Sequence, residues 1–226
     1  MNDELRRSAA HVFVADITSP ELGEDDAHHL SRVLRLRDGE RVTVSDGRGS
    51  WRSCEWRGGA LTVVGDVSVE APTPAPVTVA VAPVKGDRTE WTVEKLVEIG
   101  VDAIVVLAPT DHSVVRWDTE KAATNVARLG RIARAAASQS RRVHLPVVTG
   151  PVPLADVLAV PGTAVAEPGG DPSLDGIGTI VIGPEGGFSA AEVAASGRTV
   201  DLGGTVLRAD TAAVVAATLL VAHSRR

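Results

Sequence analysis

The sequence predicts an α/β protein with a small β-rich module at the N-terminus and a larger domain built on a mostly parallel sheet. Three observations indicate this fold. Short valine-rich runs with turn signals between them come first. The segment EAPTPAPV, residues 70–77, then has the proline content of a linker. Beyond it, apolar strands alternate with helical patterns. We therefore expect a first domain at 1–70, a linker at 71–76 and a second domain at 77–226.

The first module contains short strand patterns joined by tight turns. Valine-rich runs at 11–15, 41–46 and 61–69 predict strands. DGRG at 46–49 and RGG at 57–59 are typical of hairpin turns.

The second domain alternates between the two kinds of element. Buried-strand patterns lie at 77–83, 102–109, 162–168, 178–184 and 198–204. Helical patterns lie at 89–100, 119–139 and 210–222. Gly100 predicts a C-terminal cap, and Ser189 with Glu192 predicts a capping box for a further short helix.

Composition limits the class of protein. No apolar run reaches the roughly 20 residues that a membrane helix needs, and the first residues lack the apolar core of a signal peptide. Cys54 is the single cysteine of the 226 residues, so the chain has no internal disulfide. We expect a cytoplasmic protein without a membrane partner. We also expect no metal, because His28 and His29 have no further ligand set near them.

The net charge of −6 conceals two arginine-rich stretches. Such local clusters decide affinity for a phosphate backbone, so both are candidate RNA contacts. Their members are Arg32, Arg35 and Arg37 in the first module and Arg128, Arg131, Arg134, Arg141 and Arg142 in the second domain. The alternative is that both are solvated faces without a partner.

The stretch VIGPEGGFSAAEV, residues 181–193, is a glycine-rich corner between a strand and a helix. Ligands of open α/β sheets bind beyond the carboxyl ends of the strands. Glycine lets the backbone approach a ligand closely, so we expect the backbone at Gly186 to do so. A tight turn without a ligand is the alternative, and a second glycine-rich strand end at 203–204 makes it less attractive. The usual nucleotide-binding glycine motifs are absent.

Five blocks in this order resemble a known family. They are HHLSRVLRLRDGERVTVSDGRG (28–49), KGDRTEWTVEKLVEIGVDAIVVL (85–107), QSRRVHLPVV (139–148), IGPEGGFSAAEV (182–193) and DLGGTVLRADTAA (201–213). Together they resemble the RsmE family, the 16S ribosomal RNA uridine-N3 methyltransferases of the SPOUT superfamily.

The resemblance implies a fold and partners. It implies a PUA-like RNA-binding β-barrel followed by a SPOUT-type α/β domain with a trefoil knot. It further implies S-adenosyl-L-methionine as cofactor, a homodimer, and 16S rRNA within the small ribosomal subunit as partner. The matching cofactor-binding residues are Glu167, Pro168, Gly183, Pro184, Glu185, Gly186, Gly187, Leu202, Gly203, Val206, Leu207 and Arg208. Glu167 and Pro168 match by position only, in a loop after a strand.

The sequence departs from the family where glutamates are expected. In three segments a glutamate of the family is replaced by aspartate or by a residue without a carboxylate. The segments are Thr110-Asp111-His112-Ser113, Ala137-Ser138-Gln139-Ser140 and Arg208-Ala209-Asp210-Thr211-Ala212. Asp210 is then the candidate to help remove the uridine proton, with helix N-capping as its alternative role. Arg208 could stabilise charge on the uracil carbonyls, or contact a phosphate or an acid instead.

The reaction expected from the resemblance is S-adenosylmethionine-dependent methylation of N3 of a specific uridine in 16S rRNA. One alternative is a SPOUT ribose 2′-O-methyltransferase, which the presence of the N-terminal module disfavours. The other is an RNA-binding protein that has lost catalysis, which the missing glutamates favour and the intact glycine-rich loops oppose.

Overall fold

The structure is a computed structural model that describes residues 2–225. The chain forms two compact units. The first comprises Met1–Thr73 and Ala137–Leu145, and the second comprises Pro74–Ala136 and Pro146–Arg226. The first unit thus includes the segment Ala137–Leu145, which lies outside the range of 1–70 expected for the first domain.

The first unit is built on a five-stranded mixed sheet. Its elements are α1 (Asp3–Arg7), β1 (Ala10–Phe13), α2 (Glu24–His28), β2 (Arg41–Ser45), β3 (Ser50–Arg57), β4 (Ala60–Val63) and β5 (Ser68–Val69). A π-helical turn, His29–Val33, follows α2. β1 pairs with β2 in parallel, while β3 pairs antiparallel with β2, β4 and β5. Leu30, Val42, Val44 and Cys54 are fully buried in its core.

The two expected hairpins are confirmed, because β2 and β3, and then β3 and β4, pair on either side of DGRG and RGG. The strand between these turns, β3, was not among the strands predicted. The added segment is held by backbone contacts: Gly49 N–H donates to Val143 O, and Leu145 N–H donates to Gly47 O. Val143 also packs with Leu5 and Trp51.

The second unit contains a six-stranded sheet in which every neighbouring pair is parallel. Its strands are β6 (Thr78–Val81), β7 (Ala103–Leu107), β8 (Val147–Val152), β9 (Thr163–Asp171), β10 (Thr179–Ile182) and β11 (Thr199–Val200). Its helices are α3 (Arg88–Ile99), α4 (Thr119–Gln139), α5 (Leu154–Leu158), α6 (Ala190–Ala195) and α7 (Ala209–Ser224). The spatial order is β11-β9-β10-β6-β7-β8. The α/β class expected from the alternating pattern is confirmed.

The central strands are buried on both faces, which explains their continuous apolar runs. Val181 and Ala80 pack in one cluster beneath α5. Their strand neighbours Ile180 and Val79 are also fully buried and point to the opposite face. Helix α7 packs on α3 and over β6 and β10.

Helix ends follow the expected signals. Gly100 ends α3 with φ +110°, a conformation that only glycine adopts without strain. The capping box of α6 is present: the Ser189 hydroxyl accepts from Glu192 N–H, and Glu192 accepts from Ser189 N–H. β8 and α5 were not predicted, because the Gly150-Pro151 pair within β8 has the appearance of a turn.

The last strand is much shorter than predicted. β11 covers only Thr199 and Val200, whereas the pattern extended it to residue 204. The chain from 201 to 208 is instead an irregular segment that leads into α7. Across residues 2–225, no helix is long and apolar enough to cross a membrane.

Candidate functional site

A cleft of about 620 Å³ opens in the second unit, beyond the carboxyl ends of neighbouring strands. The ends of β9 and β10 and the segment after β11 form its walls, and the start of α7 closes one side. Parallel strands bring their carboxyl ends to one edge of a sheet, so loops far apart in sequence meet there.

All of the residues predicted to bind the cofactor line this one cleft. They are Glu167, Pro168, Gly183, Pro184, Glu185, Gly186, Gly187, Leu202, Gly203, Val206, Leu207 and Arg208. Glu167 and Pro168 reach it from within β9 and not from a loop, because that strand continues to Asp171.

The GPEGG corner is a tight turn closed by a hydrogen bond from Gly187 N–H to Pro184 O, 2.9 Å. Gly187 has φ +70°, a left-handed conformation that favours glycine at this position. Gly186 also has a packing role, while its expected approach to a ligand stays a prediction. A Cβ at Gly186 would meet the Cβ of His112 at 3.0 Å, so this glycine makes room for the His112 side chain. His112 Nδ1 also lies 3.1 Å from Gly186 O.

The segment 201–208 forms the opposite wall and is open. Asp201 accepts a hydrogen bond from Gly203 N–H, 3.0 Å, which shapes the turn. Gly203 has φ +138°, and a Cβ there would meet no atom within 4 Å. The Val206 side chain is 88% exposed although it lines the cleft. Val206 thus offers the cleft an accessible apolar side chain.

Arg88 joins the two walls and was missed as a site residue from the sequence. Its guanidinium donates to Glu185 Oε1 at 2.8 Å and lies 3.9 Å from Asp210 Oδ2. Lys85 N–H also donates to Glu185 Oε1, 3.2 Å. The only sequence signal was the position of Arg88 inside the KGDRTEW block, since its partners are distant along the chain.

The segment Thr110–Ser113 supports the glycine-rich corner from outside the cleft. The Ser189 hydroxyl donates to Asp111 Oδ2 at 2.6 Å, and Asp111 N–H donates to Glu192 Oε1 at 3.0 Å. Asp111 is therefore fixed against the capping box of α6.

The two candidate catalytic residues occupy different places. Arg208 lines the cleft, is exposed, and makes no side-chain hydrogen bond or ion pair within residues 2–225. Asp210 does not line the cleft but faces Arg88, next to a small cavity behind the cleft. Asp210 is not the N-cap of α7 either, because that position belongs to Arg208.

The cleft carries an excess of negative charge. Glu185 is neutralised by Arg88, so among the described lining residues Glu167 and Asp201 face one cation without an ion-pair partner, Arg208. Its other walls are glycine backbone and small apolar side chains. Such a site suits a ligand with a flat apolar part, a polar edge and positive charge.

The arginines of the first unit lie in and after the π-helical turn. Arg32, Arg35 and Arg37 are exposed, as are His28 and His29. Among residues 2–225, no group of three or more His, Cys, Asp or Glu is arranged to hold a metal ion.

The second predicted cluster divides. Arg128, Arg131 and Arg134 are exposed on α4, and Arg128 pairs with Glu90 at 2.9 Å. Arg141 instead turns inward within the first unit, where its Nη2 donates to Ser8 O at 3.0 Å. This structural role differs from the RNA contact predicted for Arg141.

Two family models match the chain. An RNA methyltransferase domain matches residues 71–221, and an RNA methyltransferase PUA domain matches residues 22–55. The ribosomal RNA small subunit methyltransferase E of Mycobacterium bovis is 33% identical, with 92% of this chain and 89% of that protein aligned. The chain belongs to the ribosomal RNA small subunit methyltransferase E family. The resemblance inferred from the five blocks is thus confirmed.

Solved structures agree with this family. A protein of Porphyromonas gingivalis assigned as an rRNA-methyltransferase has a TM-score of 0.77 at 32% identity, over 95% of this chain and 99% of that one. A protein of Legionella pneumophila assigned as a methyltransferase, solved with bound SAM, has a TM-score of 0.81 at 26% identity, over 96% and 98%. Both alignments extend over nearly the whole of this chain.

Proposed function

We propose that this family member methylates N3 of a specific uridine in 16S rRNA of the small ribosomal subunit, in the cytoplasm, with S-adenosyl-L-methionine as methyl donor. The observation that carries the proposal is the single cleft where the GPEGG corner and the segment 201–208 meet. The family's name and the SAM-bound Legionella relative support the reaction class and the cofactor.

The residues of the cleft fit S-adenosylmethionine. Glycine backbone at both walls can meet the polar edge of an adenine, and the exposed Val206 offers it an apolar surface. The carboxylates of Glu167 and Asp201 suit the ligand's positive groups and hydroxyls. When bound, the cofactor supplies an electrophilic methyl group on a sulfonium.

Arg208 is the proposed catalytic residue of this chain. Its guanidinium lies at the cleft without another partner within residues 2–225, so it is available to a substrate. Loss of the N3 proton to water puts negative charge on the uracil carbonyls, and a positioned cation stabilises that charge. N3 lies on the Watson–Crick edge, so the uridine must be unpaired or extruded before it reacts.

Asp210 is a positioning residue in this proposal and not the group that takes the proton. Its carboxylate lies 3.9 Å from Arg88, which in turn holds Glu185. The carboxylate therefore helps to fix the start of α7, and with it the adjacent Arg208, relative to the GPEGG corner.

The proposal also covers the type of each unit and the assembly of two chains. We assign the first unit as a PUA-like barrel that grips RNA through Arg32, Arg35 and Arg37. We assign the second as a SPOUT domain whose 201–208 segment and α7 complete a trefoil knot. The homodimer is proposed to form through α3 and α7, whose exposed Trp91 and Leu219 are 45% and 41% accessible.

The test is methylation of small ribosomal subunits lacking the modification, followed by nucleoside analysis of the product. The proposal expects 3-methyluridine, with Arg208→Ala lowering kcat by about a hundredfold while calorimetry still detects S-adenosylmethionine binding. A 2′-O-methylated product would replace the proposed reaction by ribose methylation. Cofactor binding without any product would identify a binding protein that has lost catalysis.

A further inference from the structure

A second pocket of about 320 Å³ lies beside the cleft in the same unit. The segment after β6 and the first half of α4 form its walls. Its apolar surface comes from Val84, Val115 and Leu129, together with the indole of Trp117. A volume near the lower end of the range of small-molecule sites is sufficient for one nucleotide.

Three polar side chains that line this pocket have no hydrogen-bond or ion-pair partner in the described part of the chain. The Lys85 ammonium, the Trp117 indole N–H and the Asn125 amide make no hydrogen bond or ion pair within residues 2–225. Trp117 and Asn125 are half-buried and their polar atoms remain accessible to solvent, so a ligand that enters the pocket can replace water as their hydrogen-bond partner. An aromatic ring, an amide and an ammonium can contact a nucleotide by stacking, by base-edge hydrogen bonding and by charge, respectively.

The charge of the pocket favours an anion. Its titratable lining residues are Lys85, Arg128 and Glu90. Glu90 is paired with Arg128 at 2.9 Å, so within residues 2–225 the charge of Lys85 has no compensating acid. A phosphate group can supply that compensation.

The pocket is joined to the cleft through the segment 84–90. Lys85 N–H and the Arg88 guanidinium both donate to Glu185 Oε1 of the GPEGG corner. Arg88 lines the cleft, whereas Lys85 and Glu90 line the second pocket. A nucleotide held in the second pocket is therefore a near neighbour of whatever reacts in the cleft.

We propose that this pocket binds one unstacked nucleotide of the RNA substrate, a neighbour of the methylated uridine. The base stacks on Trp117, its edge bonds with the Asn125 amide, and its phosphate is met by Lys85. An amide can donate and accept at one base edge, and stacking on an aromatic ring tolerates any base. The inference rests on the proposed function, since it names a subsite of the same RNA.

The test compares RNA binding with cofactor binding in matched variants. Asn125→Ala and Trp117→Leu should each weaken binding of small-subunit RNA, measured directly by anisotropy, by about tenfold, a range typical of losing one stacked or paired base. The KM for small subunits should rise by a similar factor. The S-adenosylmethionine Kd should stay unchanged. Thr124→Ala, an exposed neighbour on α4, is the control and should leave all three values unchanged.

Salt dependence tests the phosphate contact. Lys85→Ala should lower the slope of log Kd against log salt by about one, as expected for a single lost phosphate contact. Lys121→Ala, which removes another exposed lysine of the same unit, should keep the wild-type slope.

The outcomes separate this inference from the proposed function. Wild-type methylation together with unchanged RNA binding in Asn125→Ala and Trp117→Leu would overturn the subsite alone. Equal losses of RNA and cofactor affinity would also overturn it, since they indicate damage to the fold. Failure of the wild-type protein to bind cofactor or to methylate would refute the proposed function, while the RNA-binding comparison would still decide the subsite.

Discussion

Breaking the ion pair between Arg88 and Glu185 should weaken cofactor binding without unfolding the protein. The pair ties the segment before α3 to the GPEGG corner with a charge-assisted hydrogen bond of 2.8 Å. If the bond is lost, the corner must be ordered by the ligand itself, and that ordering free energy is subtracted from binding.

The expected size follows from the exposure of the pair. Hydrogen bonds to charged groups contribute about 1.5–3 kcal/mol when they are buried. Exposed ion pairs contribute about 0–1 kcal/mol. The Arg88 and Glu185 side chains are 33% and 27% exposed, so this pair lies between the two cases. We expect a coupling of about 1 kcal/mol, which corresponds to about a fivefold change in the S-adenosylmethionine Kd.

The assay is a double-mutant cycle with Arg88→Met, Glu185→Gln and the double variant, measured by calorimetry with S-adenosylmethionine. The cycle cancels the other contacts of Arg88, such as that to Asp210, which each single substitution would mix in. Circular dichroism checks that the variants are folded. Additive effects of the two substitutions would refute the reasoning, because they would mean that the pair does not order the corner.

Three further predictions concern stability, assembly and RNA. Burial lowers the pKa of His11 from 6.5 to about 4. Between these pH values the unfolded chain binds more protons than the folded one, so the free energy of unfolding falls as the pH drops through this window. The free energy of unfolding of the wild type should therefore fall by about 2 kcal/mol more between about pH 7 and 5 than that of His11→Gln. Denaturation measured at several pH values checks this, and equal pH dependence of the two proteins would contradict it. Leu219→Glu should convert a dimer into monomers in sedimentation, since it places a charge on an exposed apolar helix face; an unchanged dimer would exclude this face. Arg131→Ala with Arg134→Ala should reduce the salt slope of RNA binding by about one unit per lost contact and leave the cofactor Kd unchanged; an unaltered slope would make these arginines a solvated face.

The site was predictable from the sequence where neighbouring residues alone decide the structure. Glycine and proline after a buried strand predict a corner, and parallel strands bring such corners to one edge. That reasoning located the GPEGG corner and the segment 201–208 on one cleft. It did not predict the packing role of Gly186, whose space is also required by His112, 74 residues away in the sequence.

Contacts between distant residues could not be predicted in this way. Arg88 and Glu185 are 97 residues apart, and no local pattern shows that they meet. The clustering of Arg141 with other arginines suggested a surface role. Its backbone has φ +59°, and its guanidinium is directed at backbone carbonyls of the first unit. A count of charges along a sequence carries no information about the direction in which a side chain points.

The distribution of aromatic residues determines how this protein can hold RNA. The chain has no tyrosine and four tryptophans. Trp51 and Trp56 are buried in the first unit and cannot stack on a base, whereas Trp91 is exposed on α3 and Trp117 lines the second pocket. Phe188 lines the cleft. With so few accessible rings, stacking can fix only one or two bases near the reacting uridine. Most of the remaining affinity must then come from phosphate contacts of the exposed arginines, which is why RNA binding should weaken steeply with salt while cofactor binding does not.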